Sequence, residues 1–171
     1  MHFPIIALVG RYQDSGLHAP LRALATLLIK EGSQVLVEAD TARQTGLTEY
    51  PAASFTDIGQ RANLAIVMGG DGTMLGAARH LAPFDVPVVG INHGRLGFIT
   101  DIPLQHSTEA LTDLLQGRYE TETRMLLSAT VWRGTEQMFA ATALNDVVLT
   151  RSGRGGMIEV RVEVNGTYMY T

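Results

Sequence analysis

The chain has no cysteine, and Lys30 is the only lysine among its 13 basic residues. Without cysteine there can be no disulfide framework and no thiolate metal centre. With arginine carrying almost all the positive charge, the basic side chains suit bidentate recognition of phosphates and carboxylates. A formal charge of -4 argues against a nucleic-acid partner, which normally calls for a basic face. No stretch approaches the roughly 20 apolar residues needed to cross a bilayer. The apolar run "PIIALVG" near the start is too short for a signal core and has no basic flank. These absences lead us to expect a cytoplasmic protein with no membrane partner. With 46% hydrophobic residues in 171, the chain can build one good core or two small ones.

The first hundred residues alternate between short β-type runs and helical patterns. "PIIALVG" (4–10), "QVLVE" (34–38), "LAIVMG" (64–69) and "VPVVGI" (86–91) read as buried strands. Leu17, Leu21, Leu24 and Leu28 recur at helical spacing, with Gly32 as a stop, and a second helix is expected from about Thr73 to Leu81. Strands rich in Val, Ile and Leu alternating with helices imply a parallel sheet covered on both faces. Residues 39–60, with Pro51 and mixed polarity, have no clear pattern.

After about residue 101 the pattern changes. One short helix is expected over 107–117, with Ser107 or Thr108 as N-cap and Gly117 as stop. "MLLSATVW" (125–132) and "QMFAATA" (137–143) flank a turn. "MIEVRVEVNG" (157–166) alternates as a half-wet antiparallel strand, and Asn165-Gly166 is a hairpin turn before a short return strand. The expected fold class is therefore α/β: an N-terminal doubly wound, mostly parallel sheet (1–100) followed by an incomplete β-sandwich region (101–171).

Three stretches carry candidate chemistry. In "GGDGT" (69–73) a strand runs into glycines and then a helix. That is the carboxyl end of a strand, where ligands of α/β sheets bind. Glycines allow close approach to the backbone, and the helix N-terminus offers N–H groups to anions. Asp71 would repel a phosphate. Its readings are cation binding, acceptance of a proton from an attacking hydroxyl, or an Asx-type turn. "GINHGRLGFITDI" (90–102) again follows a strand and carries Gly90, Gly94 and Gly97, with Phe98 as a flat wall for a base or as a core residue. "LNDVVLTRSGRGG" (144–156) starts a β-run with Asn145 and Asp146, which could read hydroxyls and ring nitrogens or could serve as turn residues. Arg151 and Arg154 could meet phosphates or belong to a solvated loop. His80 and His93 share no metal-ligand spacing with a carboxylate.

Together "GGDGTML", "NHGRLGF" and "LNDVVL" resemble the NAD kinase family, whose members transfer the γ-phosphoryl of ATP to NAD and make NADP. "GGDGT" alone is also similar to the signature of diacylglycerol and sphingosine-type lipid kinases and, more distantly, of 6-phosphofructokinases. The other two motifs favour the dinucleotide kinase. The resemblance implies that Asp71 accepts the proton of the 2′-hydroxyl of the adenosine ribose, with Gly72 beside it. It places Phe98 near the adenine and makes Asn145 and Asp146 the pair that grips NAD. It further implies Mg2+ or another divalent cation travelling with ATP, and a homo-oligomer; no residue is assigned as a metal ligand. The family continues with a further glycine- and threonine-rich segment, so the chain reads as the front part of a longer protein with little activity alone. The rival readings are a lipid kinase sharing the turn and a nucleotide-binding fragment without turnover. Substrate choice separates the first and product formation the second.

Overall fold

A computed structural model describes residues 3–11, 15–94, 97–150 and 157–171. Strand β1 (Ile5–Gly10) occupies the middle of a sheet, with β2 (Gln34–Glu38) on one side and β4 (Leu64–Gly69) on the other. Beyond β2 lies the two-residue β3 (Ala52–Ala53). Beyond β4 lie β5 (Val88–Asn92) and the two-residue β6 (Ile102–Pro103). The order β3-β2-β1-β4-β5-β6 is parallel throughout. The chain leaves β1 in one direction and returns to its other side at β4, so the winding reverses between these two strands.

The strands are buried on both faces, as their unbroken apolar character requires. Successive side chains point to opposite faces. Ile6, Leu8, Ile66, Met68 and Ile91 face α1 (His18–Lys30) and α5 (Ser107–Leu115), which contribute Leu21, Leu24, Leu28, Leu111 and Leu114 to one cluster. Ala7, Ala65, Val9 and Val67 face α3 (Phe55–Arg61) and α4 (Asp71–Leu81). The doubly wound expectation holds, and α5 and β6 extend this core past residue 101.

The region without a clear pattern contains α2 (Ala39–Thr45), β3 and α3. Helix α2 is capped by Glu38, the last residue of β2, whose carboxylate accepts from the Asp40 and Thr41 amides. Helix α3 starts with a capping box between Ser54 and Asp57. Helix α4 begins two residues earlier than expected, so Asp71 is its first residue rather than part of a free turn. Neither Ser107 nor Thr108 caps α5. A short 3-10 turn (Leu104–His106) runs directly into the helix, so Ser107 is already helical and its hydroxyl donates back to the Leu104 carbonyl.

The described residues after α5 contain two antiparallel hairpins, β7 (Leu127–Arg133) with β8 (Glu136–Ala143), and β9 (Val162–Val164) with β10 (Thr167–Tyr170). Asn165 and Gly166 both take positive φ, the geometry their turn requires. The long strand expected over 157–166 shortens to β9, since β10 offers only four residues to pair with. No strand covers 146–150. Most of the large apolar side chains of the hairpins, among them Val131, Trp132, Phe139 and Val164, are exposed. No helix among the described residues is long and apolar enough to cross a membrane.

Burial predicts where the fold is sensitive. Ile66→Ala, in a fully buried central strand, is expected to lower the unfolding free energy by about 2–5 kcal/mol. Val164→Ala, half exposed in β9, should change it by less than about 0.5 kcal/mol. Urea unfolding of both variants checks this, and equal losses would mean that the hairpin is packed as tightly as the sheet.

Candidate functional site

The reversal between β1 and β4 leaves a crevice at their carboxyl ends, the position where open α/β sheets bind ligands. A cavity of about 540 Å3 lies there, lined by Val9, Arg11, Phe55, Gly72, Thr73 and His80 together with Gly70, Gly76 and Ala77. The Arg11 amide donates to the Met68 carbonyl, which holds the start of that loop against β4. His80 stacks on Phe55 with ring centroids 4.6 Å apart.

The glycines of this turn have different reasons to be glycine. A Cβ on Gly69 would lie 2.5 Å from the Thr73 hydroxyl oxygen, so packing excludes it. Gly70, Gly72 and Gly76 would meet nothing within 4 Å and do not adopt positive φ. The fold would accept side chains there. Their bare backbone borders the cavity, which is consistent with close approach of a ligand to α4.

Asp71 stands at the first position of α4, where the free N–H groups and the helix dipole favour an anion. Its carboxylate also closes a second loop. Oδ2 accepts from the Phe98 amide at 2.9 Å. Oδ1 accepts from the Ile99 and Thr100 amides, each at 3.2 Å, and from the Thr100 hydroxyl at 3.0 Å. These bonds, the Phe98 amide foremost, hold the carboxyl below its ordinary range, against a smaller opposing effect of desolvation. Asp71 is therefore ionised at neutral pH, and the turn after β5 is pinned to the turn after β4.

That pinning presents Phe98 to solvent. Its backbone is tied to Asp71 while its side chain is 98% exposed. The ring borders a second cavity of about 720 Å3, whose walls include Met74, Ala78, Val88, Ile99 and Leu144. Asp71, Gly72 and Phe98 are thus brought together, with one cavity on each side of α4. Asn145 and Asp146 are exposed at the bend after β8 and line neither of these two cavities, whereas their neighbour Leu144 lines the second. Arg151, Arg154 and Gly156 lie outside the described residues. Among the described residues no three acidic or histidine side chains converge as a metal cage.

Arg11, Asn92 and Thr100 were not singled out by the sequence. Arg11 had a usable signal, since it directly follows the carboxyl end of β1. Thr100 had none, because its partner Asp71 is 29 positions away.

Two outcomes follow from this geometry. Gly76→Ala should raise the unfolding free energy by about 0.5–1 kcal/mol, because alanine is the better helix former and meets open space. Chemical denaturation of the variant measures the gain. The Asp71 carboxyl is depressed in the folded state, so its contribution to stability is present above the unfolded value, about pH 3.9, and is lost as pH falls through the folded value. The stability gap between wild type and Asp71→Asn should hold at neutral pH and shrink in acid. A gap that widens in acid would contradict the assignment.

Comparison with known proteins gives this geometry a context. The family model for the ATP-NAD kinase N-terminal domain matches residues 6–119. A NAD kinase of Bordetella avium is 66% identical over 171 residues, covering all of this chain and 57% of the relative. A NAD kinase of Cupriavidus pinatubonensis is 52% identical over 168 residues, covering 98% of this chain and 55% of the relative. The chain thus spans little more than half the length of these curated relatives. A crystal structure of yeast NADH kinase complexed with NADH superimposes with a TM-score of 0.72 at 18% identity, covering 85% of this chain and 48% of that one. This last likeness bears on the fold alone. The matched model covers two thirds of the chain, including the Asp71 turn and the Phe98 turn pinned to it, and the chain belongs to the ATP-NAD kinase family.

Proposed function

We propose that the complete protein carrying this chain transfers the γ-phosphoryl of ATP to the 2′-hydroxyl of the adenosine ribose of NAD, giving NADP and ADP. The observation that carries the reading is the ionised, pinned Asp71 at the N-terminus of α4, with a cavity on either side of the helix. Both volumes fall within the roughly 300–1,000 Å3 of small-molecule sites.

On this reading the cavity with Arg11 and the bare glycines takes the triphosphate, where a guanidinium and free helix N–H groups oppose its charge. The cavity with Phe98 takes the dinucleotide, with the exposed ring against the adenine. Asn145 and Asp146 grip NAD from the bend after β8. A divalent cation bound to the triphosphate would neutralise part of its charge.

The ribose oxygen forms a bond to the γ-phosphorus as the bond to the bridging β–γ oxygen breaks, and that electron pair leaves on ADP. Asp71 receives the hydroxyl proton. A carboxylate held below its ordinary range is a weak base, so positioning and electrostatics supply most of the acceleration. The division into an α/β nucleotide-binding part and a β-rich NAD-binding part belongs to the same proposal. So do a cytoplasmic location and a homo-oligomer, the latter supported by the exposed apolar side chains of β7 to β10.

NADP formation by the complete protein from NAD, ATP and magnesium tests the reading, with diacylglycerol and sphingosine as competing acceptors. Asp71→Asn should reduce turnover by about 10²–10⁴-fold. Its amide carries an acceptor on one side only, so the other side would oppose a donor of the Phe98 turn or the Thr100 group. NAD and ATP binding are therefore measured alongside. Ordinary NADP formation by the folded variant would remove Asp71 from the chemistry, and phosphorylation of a lipid instead of NAD would overturn the substrate.

A further inference from the structure

We infer that Thr100 is a positioning residue for Asp71, and that its hydroxyl transmits the orientation of Asn92 to the carboxylate. The inference rests on the phosphoryl-transfer reading above. It concerns which oxygen of Asp71 is left to meet a substrate.

Asn92 ends β5 and is 4% exposed, while Thr100 is fully buried in the connection to β6. The Asn92 side-chain amide donates to the Thr100 hydroxyl at 3.1 Å, and that hydroxyl donates to Asp71 Oδ1 at 3.0 Å. Chemistry sets the direction of this chain. An ionised carboxylate can only accept, so the single proton of the hydroxyl must go to Asp71. The hydroxyl then has only lone pairs to offer Asn92, which must turn its NH2 toward it. Aligned bonds of this kind polarise one another and strengthen together.

The result is an asymmetric carboxylate. Among the described residues Oδ1 has three donors, the Ile99 amide, the Thr100 amide and the Thr100 hydroxyl. Oδ2 has one, the Phe98 amide. A carboxylate has about four lone-pair directions in all, two per oxygen. Oδ1 is therefore saturated, and Oδ2 keeps the capacity to accept a further proton. Thr100 fixes the rotation that makes Oδ2 the working oxygen.

Two glycines exist to make room for this arrangement. A Cβ on Gly97 would lie 2.1 Å from Asp71 Oδ1 and 2.6 Å from the Thr100 hydroxyl oxygen. A Cβ on Gly90 would lie 2.9 Å from the Thr100 methyl and 3.0 Å from its Cα. Both glycines allow Thr100 to sit between β5 and α4.

The test is steady-state kinetics on the complete protein with Thr100→Val, Thr100→Ser, Asn92→Ala and the Asn92→Ala/Thr100→Val pair. Valine keeps the shape and removes the hydroxyl. Thr100→Val should lower kcat roughly ten- to a hundredfold, the worth of a hydrogen bond to a charged group. KM for NAD and for ATP should be nearly unchanged. Thr100→Ser, which restores the hydroxyl, should recover most of kcat. Asn92→Ala should slow the threonine enzyme more than the valine enzyme, since its bond to the hydroxyl exists only in the former. A Thr100→Val protein with a lowered Tm and an unchanged kcat overturns the inference, as does a serine variant as slow as the valine variant, or an Asn92→Ala effect of equal size in both backgrounds. If the wild type makes no NADP, the functional reading falls first. Hydrogen exchange then decides the structural claim in the same proteins. Faster exchange of the Phe98 and Ile99 amides in Thr100→Val supports the hydroxyl as the anchor of Asp71, and unchanged exchange overturns it.

Discussion

A carboxylate in the first turn of a helix and a run of backbone amides after the next strand satisfy each other. Asp71 supplies acceptors for three consecutive N–H groups, at Phe98, Ile99 and Thr100, which among the described residues have no strand or helix partner. The three amides in turn keep the carboxylate charged and oriented. Neither side of this arrangement is stable alone, because unpaired polar groups at a partly buried site are costly to leave without partners. The sheet makes the meeting possible. β4 and β5 pair in register from Ala65↔Val88 to Gly69↔Asn92, so their carboxyl ends arrive side by side and release their loops at the same level.

This interaction accounts for the distribution of glycine around the site. Gly69 clears the Thr73 side chain, Gly90 clears Thr100, and Gly97 clears the Asp71 carboxylate itself. Those three are packing requirements. Gly70, Gly72 and Gly76 face open space and border the cavity below Arg11. Glycine in a helix interior is destabilising, so its presence at 76 means that stability has been given up on that face of α4. The two faces of that helix then differ in kind: one is bare toward the Arg11 cavity, and the other carries Met74 and Ala78 toward the Phe98 cavity.

The hairpins contrast with this core. β7 to β10 keep their backbone ladders, but their apolar side chains remain largely exposed, and Leu144 is the member of the segment after β8 that borders a cavity. Packing precision falls from the sheet outward. Asp71 and Phe98 are positioned by buried structure, whereas Asn145 and Asp146 lie on an exposed bend. These four residues thus differ in how much buried structure stands behind their backbone.

Most of the sheet was legible because strands buried on both faces need long apolar runs, and four such runs stand between clear breakers. β3 and β6 were not, since two-residue strands carry no period. Helix α2 was missed because its cap is Glu38, a residue type that the usual capping preference does not flag. The first half of the strand expected over 157–166 failed for a different reason. Alternation describes which faces a strand would have, and only a paired neighbour makes it a strand. At the site, local pattern identified Asp71 and its glycines, because a strand-to-helix turn is a feature of adjacent residues. The donors on Asp71, the asymmetry between its two oxygens and the role of Thr100 were decided by tertiary structure. They depend on residues 27 to 29 positions apart meeting across β4 and β5, and no one-dimensional spacing encodes that contact.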